Sequence, residues 1–364
     1  MNFTLVAVVI LALFLDYTNG FHDAANAIAT TVSTRALSPR QAVLMAGLLN
    51  FAGAFISIKV ATTVGKGIVA TDAVTTKVVL AAVVGAIVWN LITWYLGLPT
   101  SSSHSLIGGV AGAGIAAGGW DVVQWHGVTE KVLAPSLLSV FVGIGLAAAV
   151  VIAILWLFRN SRPTAVNARF RRLQVVSAGF VALAHGTNDA QKTMGVIALA
   201  LVTAHPASAF HVPLWVIASA ATSMAVGTYS GGWRIISTLG RRVTSLQPYQ
   251  GFGAETATAG ILYTAAHFGF PVSTTHTVTG SVLGAGAARR LSSVRWGIVR
   301  SILAAWLFTF PAAGIVAATM VYLGRLPGGT AIVFSVAVLF SALMFTARRR
   351  ADAPSEPVLV SART

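Results

Sequence analysis

The chain has 364 residues, 56% of them hydrophobic and only 9% charged, which excludes an ordinary soluble domain and points to a protein embedded in a bilayer. The net charge of +15 does not indicate nucleic acid, because the arginines cluster between apolar runs, where they set topology and meet anionic lipid. With no cysteine in the chain, disulfides and thiolate metal sites are excluded.

Taken in chain order, apolar runs able to cross a bilayer fall near residues 2–33, 41–58, 74–98, 132–158, 173–203, 213–232, 250–268, 296–323 and 328–346. The first run is not read as a cleaved signal, since no Lys or Arg precedes Arg35 and the basic n-region is missing. Two further insertions come from Pro99-Thr-Ser-Ser-Ser-His104 and Pro271-Val-Ser-Thr-Thr-His276. Basic clusters mark the cytoplasmic side: Arg159 to Arg172, Arg234 to Arg242, Arg289 to Arg300 and Arg348 to Arg350. All four share a side if residues 271–288 cross once, and the same reading of residues 99–118 places an odd number of crossings between equivalent positions. The expected fold is therefore an all-α integral membrane protein with two inverted repeats, residues 1–158 and 173–346. A basic cytoplasmic linker is expected at 159–172 and a basic flexible tail at 347–364. Lys59, Lys66 and Lys77 then fall on the outside, against the charge rule. Residues 233–250 read as a basic amphipathic element, with Trp233 and Tyr249 as interfacial anchors.

The chemistry lies in polar residues inside apolar spans. Four of the nine acidic residues, Asp16, Asp23, Asp189 and Glu255, sit there, and each costs about 2.5 to 3.5 kcal/mol at mid-membrane on insertion scales. They are expected to face a polar cavity. Asp16, Asn19, Asp23, Asn26 and Thr30 share one helix face, as do His185, Asn188, Asp189 and Lys192. Gly20 and Gly186 beside these stripes are expected to interrupt the helices, giving discontinuous spans whose freed backbone lines a cavity. The bland alternative is that these groups only pair with one another, Lys192 with Asp189 or Glu255; it weighs most for Asp16, nearer the membrane surface. His22 and His185 are secondary candidates as proton relays.

In each Pro-x-Ser-Ser/Thr-Ser/Thr-His segment a proline followed by three hydroxyls suits a helix N-terminus. A half-helix beginning in mid-membrane aims free N–H groups and its positive dipole end at an anion. The hydroxyls of Ser101, Ser102, Ser103, Ser273, Thr274 and Thr275 can donate to oxyanion oxygens without adding charge. Small residues at Gly108, Gly112 and Ala116 and at Gly280, Gly284 and Ala288 allow close packing. Asp23 and Asp189, with Asn26 and Asn188, can hold H⁺ or Na⁺, and ionised carboxylates can accept a hydrogen bond from a protonated oxyanion, which phosphate offers and sulfate does not. Glu255 has Val83 opposite it in the other half, so an asymmetric proton-coupling group is expected there.

Asn19-Gly-Phe-His-Asp23-Ala-Ala-Asn26, His185-Gly-Thr-Asn188-Asp189-Ala-Gln-Lys192 and the paired Pro-x-Ser-x-x-His segments resemble the duplicated signatures of the PiT inorganic phosphate transporter family over nearly the whole chain. The resemblance implies an inverted-repeat, usually oligomeric carrier of the plasma (inner) membrane that imports phosphate with Na⁺ or H⁺. The Asn-Gly-Phe-His-Asp form is similar to the bacterial low-affinity branch, which takes phosphate, often as a metal-phosphate complex, with protons. It implies Asp23, Asn26, Asn188 and Asp189 as ion and substrate ligands, with Ser101 to Ser103 and Ser273 to Thr275 cradling phosphate. His22 and Gln191-Lys192 depart from the amide-rich pattern, which weakens a Na⁺ cage and lets Lys192 supply a fixed positive charge. No cofactor, enzymatic activity or nucleic-acid partner is expected. The competing readings are a sodium-coupled phosphate symporter, a sulfate permease, a cation/proton antiporter and an intramembrane hydrolase using Asp23 and Asp189 as a carboxylate pair.

Overall fold

The computed structural model describes residues 2–70, 74–205 and 209–352. They are helical almost throughout: α1 (Phe3–Ser33), α2 (Pro39–Gly53), α3 (Lys59–Lys66), α4 (Thr76–Leu96), α5 (Ser102–Gly118), α6 (Trp125–Val128), α7 (Ala134–Leu157), α8 (Pro163–Ala204), α9 (Leu214–Ser230), α10 (Trp233–Ser237), α11 (Pro248–Phe268), α12 (Thr274–Ala287), α13 (Trp296–Gly324) and α14 (Gly329–Asp352). A π-helical turn, Thr129–Leu133, joins α6 to α7; Pro135, at the start of α7, lacks an N–H and crowds the preceding turn, which the extra residue relieves. Five stretches among the described residues are long and apolar enough to cross a bilayer: α1, α4, Trp125–Leu157, α13 and α14. On the last three, large side chains such as Leu138, Phe141, Leu307, Phe308, Ile315 and Leu339 are exposed, as lipid-facing positions require.

The order of elements recurs. A long polar-striped helix (α1, α8) is followed by a shorter one (α2, α9), a small basic helix (α3, α10), an apolar helix (α4, α11), a Ser/Thr-capped helix (α5, α12) and a peripheral helix (α7, α13). The two sets interlock: α5 packs against α13 and α12 against α7, while α1 packs on α9 and α2 on α8. One apolar core gathers around α4, α5 and the first half of α1, and a second around α11, α12 and the second half of α1. The polar residues of α1 lie between them.

Each capped helix begins deep in the protein because the chain doubles back. Gly97 (φ 71°) and Gly269 (φ 75°) end α4 and α11 in the left-handed conformation, where glycine carries no Cβ penalty. Residues 98–101 then return along α4, so that the Thr100 hydroxyl donates to the Thr93 hydroxyl at 2.9 Å. From there α5 runs back beside α4, and Gln250 of α11 donates to the Ala285 carbonyl of α12 at 2.8 Å in the matching hairpin. The two Pro-x-Ser-Ser/Thr-Ser/Thr-His segments thus each start a helix inside the protein.

Several expectations are corrected. Helices α1 and α8 are continuous, 31 and 42 residues long, and Gly20 and Gly186 do not interrupt them. Both are sites of close approach: a Cβ on Gly20 falls 2.4 Å from the Met224 carbonyl and one on Gly186 falls 2.1 Å from that of Asn50. The span expected at 41–58 ends at Gly53, and a separate α3 follows. The linker expected at 159–172 is already helical from Pro163, since proline is suited to the first turn and good helix formers follow. The tail expected from 347 is helical to Asp352, with Arg349 and Arg350 in its last turn complementing the dipole; residues 353–364 lie outside the described residues. Tyr249 is buried in the second core rather than interfacial, whereas Trp233 is exposed.

The glycine stripes of α5 and α12 set the helix spacing. A Cβ on Gly112 falls 2.3 Å from the Gly314 carbonyl of α13, and one on Gly284 falls 2.1 Å from that of Ile144 on α7. Backbone cannot yield as a side chain can, so Gly112→Ala and Gly284→Ala should each destabilise by about 1 to 3 kcal/mol. Gly145→Ala, which meets nothing within 4 Å inside α7, should not lower the thermal unfolding midpoint in detergent, since Ala is the better helix former.

Candidate transport site

The site forms where α1 and α8 meet the N-termini of α5 and α12. Ser101 and Ser273 are the helix caps: their hydroxyl oxygens accept from the amides of His104 (3.1 Å) and His276 (3.2 Å). The amides of the first helical residues, Ser102 and Ser103 in α5 and Thr274 and Thr275 in α12, have no acceptor within their helices and point toward the site with the positive dipole ends.

The hydroxyls behind the caps make a crosswise network. Ser102 donates to Asp23 Oδ2 at 2.7 Å, and Thr274 donates to Asp189 Oδ1 at 2.9 Å. Ser103 accepts from Lys192 Nζ at 2.5 Å, and Thr275 accepts from Asn26 Nδ2 at 3.0 Å. Each capped helix therefore holds a carboxylate on one long helix and a donor on the other. Asn26 and Lys192 occupy corresponding places, three residues after Asp23 and Asp189.

The carboxylates are further restrained. His22 Nδ1 lies 2.8 Å from Asp23 Oδ1, and its Nε2 lies 3.2 Å from the Thr93 hydroxyl. Lys192 Nζ donates to Asp189 Oδ1 at 2.5 Å and to the Val272 carbonyl at 3.1 Å. His185 Nε2 stands 3.2 Å from Asp189 Oδ2, without hydrogen-bond alignment, while its Nδ1 lies 3.1 Å from Asn50 Oδ1. Ligand atoms of Asp23, His185 and Asp189 all fall within 4.8 Å of one another, so side chains 166 positions apart in sequence converge on one point. A narrow cavity beside them is lined by Asn19, Asn90, Ser102, Asp189, Lys192 and Thr193, with room for the centre of about one water, ≈ 10 Å³.

Asn188 donates to the Phe270 carbonyl at 3.2 Å, and its Oδ1 has no partner. Gln191 turns away from the site, accepting from the amides of Val60 (2.9 Å) and Ala61 (3.2 Å) at the start of α3. Glu255 is not brought to Asp23 and Asp189. It accepts from Thr30 (2.5 Å), Thr31 (2.7 Å), Gln174 (2.9 Å) and Ser177 (2.5 Å), and Thr30 lies seven residues, or about 10 Å, along α1 from Asp23. Sequence reading placed Thr30 on the polar stripe but missed Gln174, Ser177, Thr93 and Asn90; a lone buried polar residue in an apolar helix was the available signal. Behind the network the rings of His104 and His276 meet edge to face at 4.8 Å, and His276 packs on Trp306 at 3.8 Å.

Comparison with known proteins identifies the family. The family model described as "Phosphate transporter family" matches residues 19–169 and 158–317. A probable low-affinity inorganic phosphate transporter of Rhizobium meliloti (strain 1021) is 49% identical over 316 residues, covering 86% of this chain and 94% of that protein. Proteins of the same description from Mycobacterium leprae (strain TN) and Bacillus subtilis (strain 168) are 46% and 44% identical, covering 96% and 84% of this chain and 85% and 92% of their own lengths. A solved structure described as "The sodium-dependent phosphate transporter" superposes with a TM-score of 0.80 at 25% identity, covering 88% of this chain and 99% of its own. A multi-pass, all-helical protein of the plasma membrane, a transporter rather than an enzyme, with a duplicated carboxylate and hydroxyl site: the chain belongs to the phosphate transporter family.

Proposed function

We propose that the protein imports inorganic phosphate by symport with protons, its two halves working as inverted repeats around the site where α5 and α12 meet α1 and α8. The observation that carries this reading is the convergence of Asp23, His185 and Asp189 within 4.8 Å beside two helix N-termini and the Lys192 ammonium. In this reading Lys192 and the backbone amides bind the anion, with Ser102, Ser103, Thr274 and Thr275 contributing hydroxyls and Asn26 and Asn188 amides. Ser101 and Ser273 act one step back, fixing the helix ends. Asp23 and Asp189 accept hydrogen bonds from a protonated oxyanion, which favours phosphate over sulfate. The descriptions of the bacterial relatives support phosphate as the substrate.

The contacts of the carboxylates favour protons over sodium as the coupling ion. A sodium cage needs free oxygens, yet His22 and Ser102 engage both oxygens of Asp23, and Lys192 and Thr274 share one oxygen of Asp189. Sodium coupling is the second reading, supported by the description of the solved neighbour. One charge crossing 100 mV is worth about 2.3 kcal/mol, roughly fifty-fold accumulation, so positive charge must accompany the anion. A neutral metal-phosphate complex carried with a proton meets that requirement. Glu255 of α11, held by Thr30 about two turns along α1 from Asp23, is a further carboxylate for the proton.

Labelled phosphate uptake into proteoliposomes, with proton and sodium gradients imposed separately, tests the reading. Asp23→Asn and Asp189→Asn should each abolish uphill uptake; wild-type accumulation by either variant overturns the assignment. Excess sulfate should not compete, and inhibition by it would identify a sulfate carrier. Lys192→Gln should weaken the apparent phosphate affinity roughly ten- to hundredfold, the worth of a charge-assisted hydrogen bond.

Glu255 yields a separate stability prediction. Glu255→Leu strands four buried donors, each worth about 1 to 3 kcal/mol when left unpaired, so it should unfold at clearly lower temperature in detergent than Glu255→Gln, which keeps acceptor capacity.

A further inference from the structure

We infer that the groove between α7 and α11 binds one bilayer phospholipid, with an acyl chain lying in the groove and the headgroup phosphate on Lys59. Leu138, Val142 and Leu146 of α7 and Ile261, Thr264 and Phe268 of α11 line a cavity of ≈ 870 Å³, within the range of pockets that hold a drug-sized ligand, about 300 to 1,000 Å³. Leu138, Val142 and Leu146 are exposed on a stretch long and apolar enough to cross a bilayer. The medium that meets the groove is therefore hydrocarbon.

One end of the groove is polar and positively charged. Thr264 and Phe268 also line a second cavity, ≈ 640 Å³, together with Ser57, Lys59 and His267. The exposed Lys59 gives one of its three protons to the His267 carbonyl at 2.9 Å and has no carboxylate partner among the described residues. Two donors remain for phosphate oxygens. Glu130, the acidic residue lining the groove, is paired with His126 at 2.9 Å. Lys59 is also one of the three lysines that run against the charge rule, and a lipid headgroup gives such a charge a partner at the membrane surface.

The other half closes the corresponding place with a side chain. In the Pro99 to Pro271 register of 172 residues, Trp306 of α13 stands opposite Ala134. Trp306 donates to the Pro99 carbonyl at 3.0 Å and packs on His276 at 3.8 Å. Ala134 leaves the matching place beside Pro271 unfilled, and with Pro135, Phe270 and Val272 it lines the groove. An opening left by one side chain admits an acyl chain but not a helix of a second copy, about 10 Å across. The Phe270 and Val272 carbonyls accept from Asn188 at 3.2 Å and Lys192 at 3.1 Å, so the lipid lies against the segment that positions both.

Lipid retention by the detergent-purified protein, read by native mass spectrometry, tests the site whatever the protein carries. The probes are dioleoyl phosphatidylglycerol and dioleoylglycerol, which keeps the chains and lacks the phosphate. Wild type should retain one phosphatidylglycerol. Ala134→Trp, which copies the other half, and Val142→Trp should each lower retention of both probes roughly tenfold, the worth of about two buried methylenes. Leu307→Trp, on the exposed face of α13, should retain lipid as wild type does. Lys59→Gln should lower retention of phosphatidylglycerol roughly tenfold, the loss of a charge-assisted hydrogen bond, and leave that of dioleoylglycerol unchanged. Thermal unfolding confirms that each variant is folded. Undiminished retention in both tryptophan variants of α7 overturns the inference, as does undiminished phosphatidylglycerol retention in Lys59→Gln. Displacement of the lipid by inorganic phosphate assigns Lys59 to the free anion, and a lipid-free dimer broken by Ala134→Trp assigns the groove to a second copy; either result also overturns it.

Discussion

The structure depends on holding two carboxylates and one ammonium together in a bilayer without stranding any of them. Asp23 and Asp189 lie at the crossing of α1 and α8, where apolar cores press from both sides. The solution is reciprocal: Ser102 and Thr274 each donate to one carboxylate while Ser103 and Thr275 each accept from the donor on the opposite helix. Neither α1 nor α8 can be repositioned without breaking bonds to both capped helices. The depth at which α5 and α12 begin, the left-handed glycines that turn the chain back and the glycine stripes that let these helices approach their neighbours all serve that arrangement.

Interlocking follows from the same requirement. Each capped helix belongs to one half of the chain and packs against the outermost helix of the other, so neither half closes its core alone. Burial is correspondingly graded: α1 and α4 lie in the interior, while α7, α13 and α14 present large apolar side chains outward. Lys59 illustrates how a positive charge is accommodated, donating to the His267 carbonyl at 2.9 Å near the C-terminal end of α11, where the helix dipole favours a cation.

Much of this was legible in the sequence because it is repeated there. The two Pro-x-Ser-x-x-His segments announced buried helix starts, and the polar stripes on 100° periodicity announced which faces meet. Glycine misled, since Gly20 and Gly186 were read as breaks when their missing Cβ atoms serve close approach to α9 and α2; a one-dimensional pattern does not say whether a small residue bends a helix or admits a neighbour. Boundaries failed where composition and propensity disagree, as in the arginine-rich start of α8, polar enough to suggest a linker yet rich in helix formers. The surroundings of Glu255 were only half visible, because Gln174 and Ser177 reach it across 81 and 78 residues and no local spacing encodes such a contact. The crosswise pairing of Ser103 with Lys192 had the same limitation.

Duplication in this protein is incomplete in a way that has kinetic meaning. Asn26 stands where Lys192 stands in the other half, Val83 stands opposite Glu255, and the donors on Glu255 from α8 are answered in the first half by Val8 and Leu11 in the register of Asp23 and Asp189. If the halves exchange conformations during a cycle, they do so with chemically different surroundings, hydroxyls and an amide around Glu255 in one and Val8, Leu11 and Val83 in the other. Such asymmetry leaves the final concentration ratio to the driving gradients and acts on the barriers alone, so the carrier should rectify, with unequal rates of loading from its two faces.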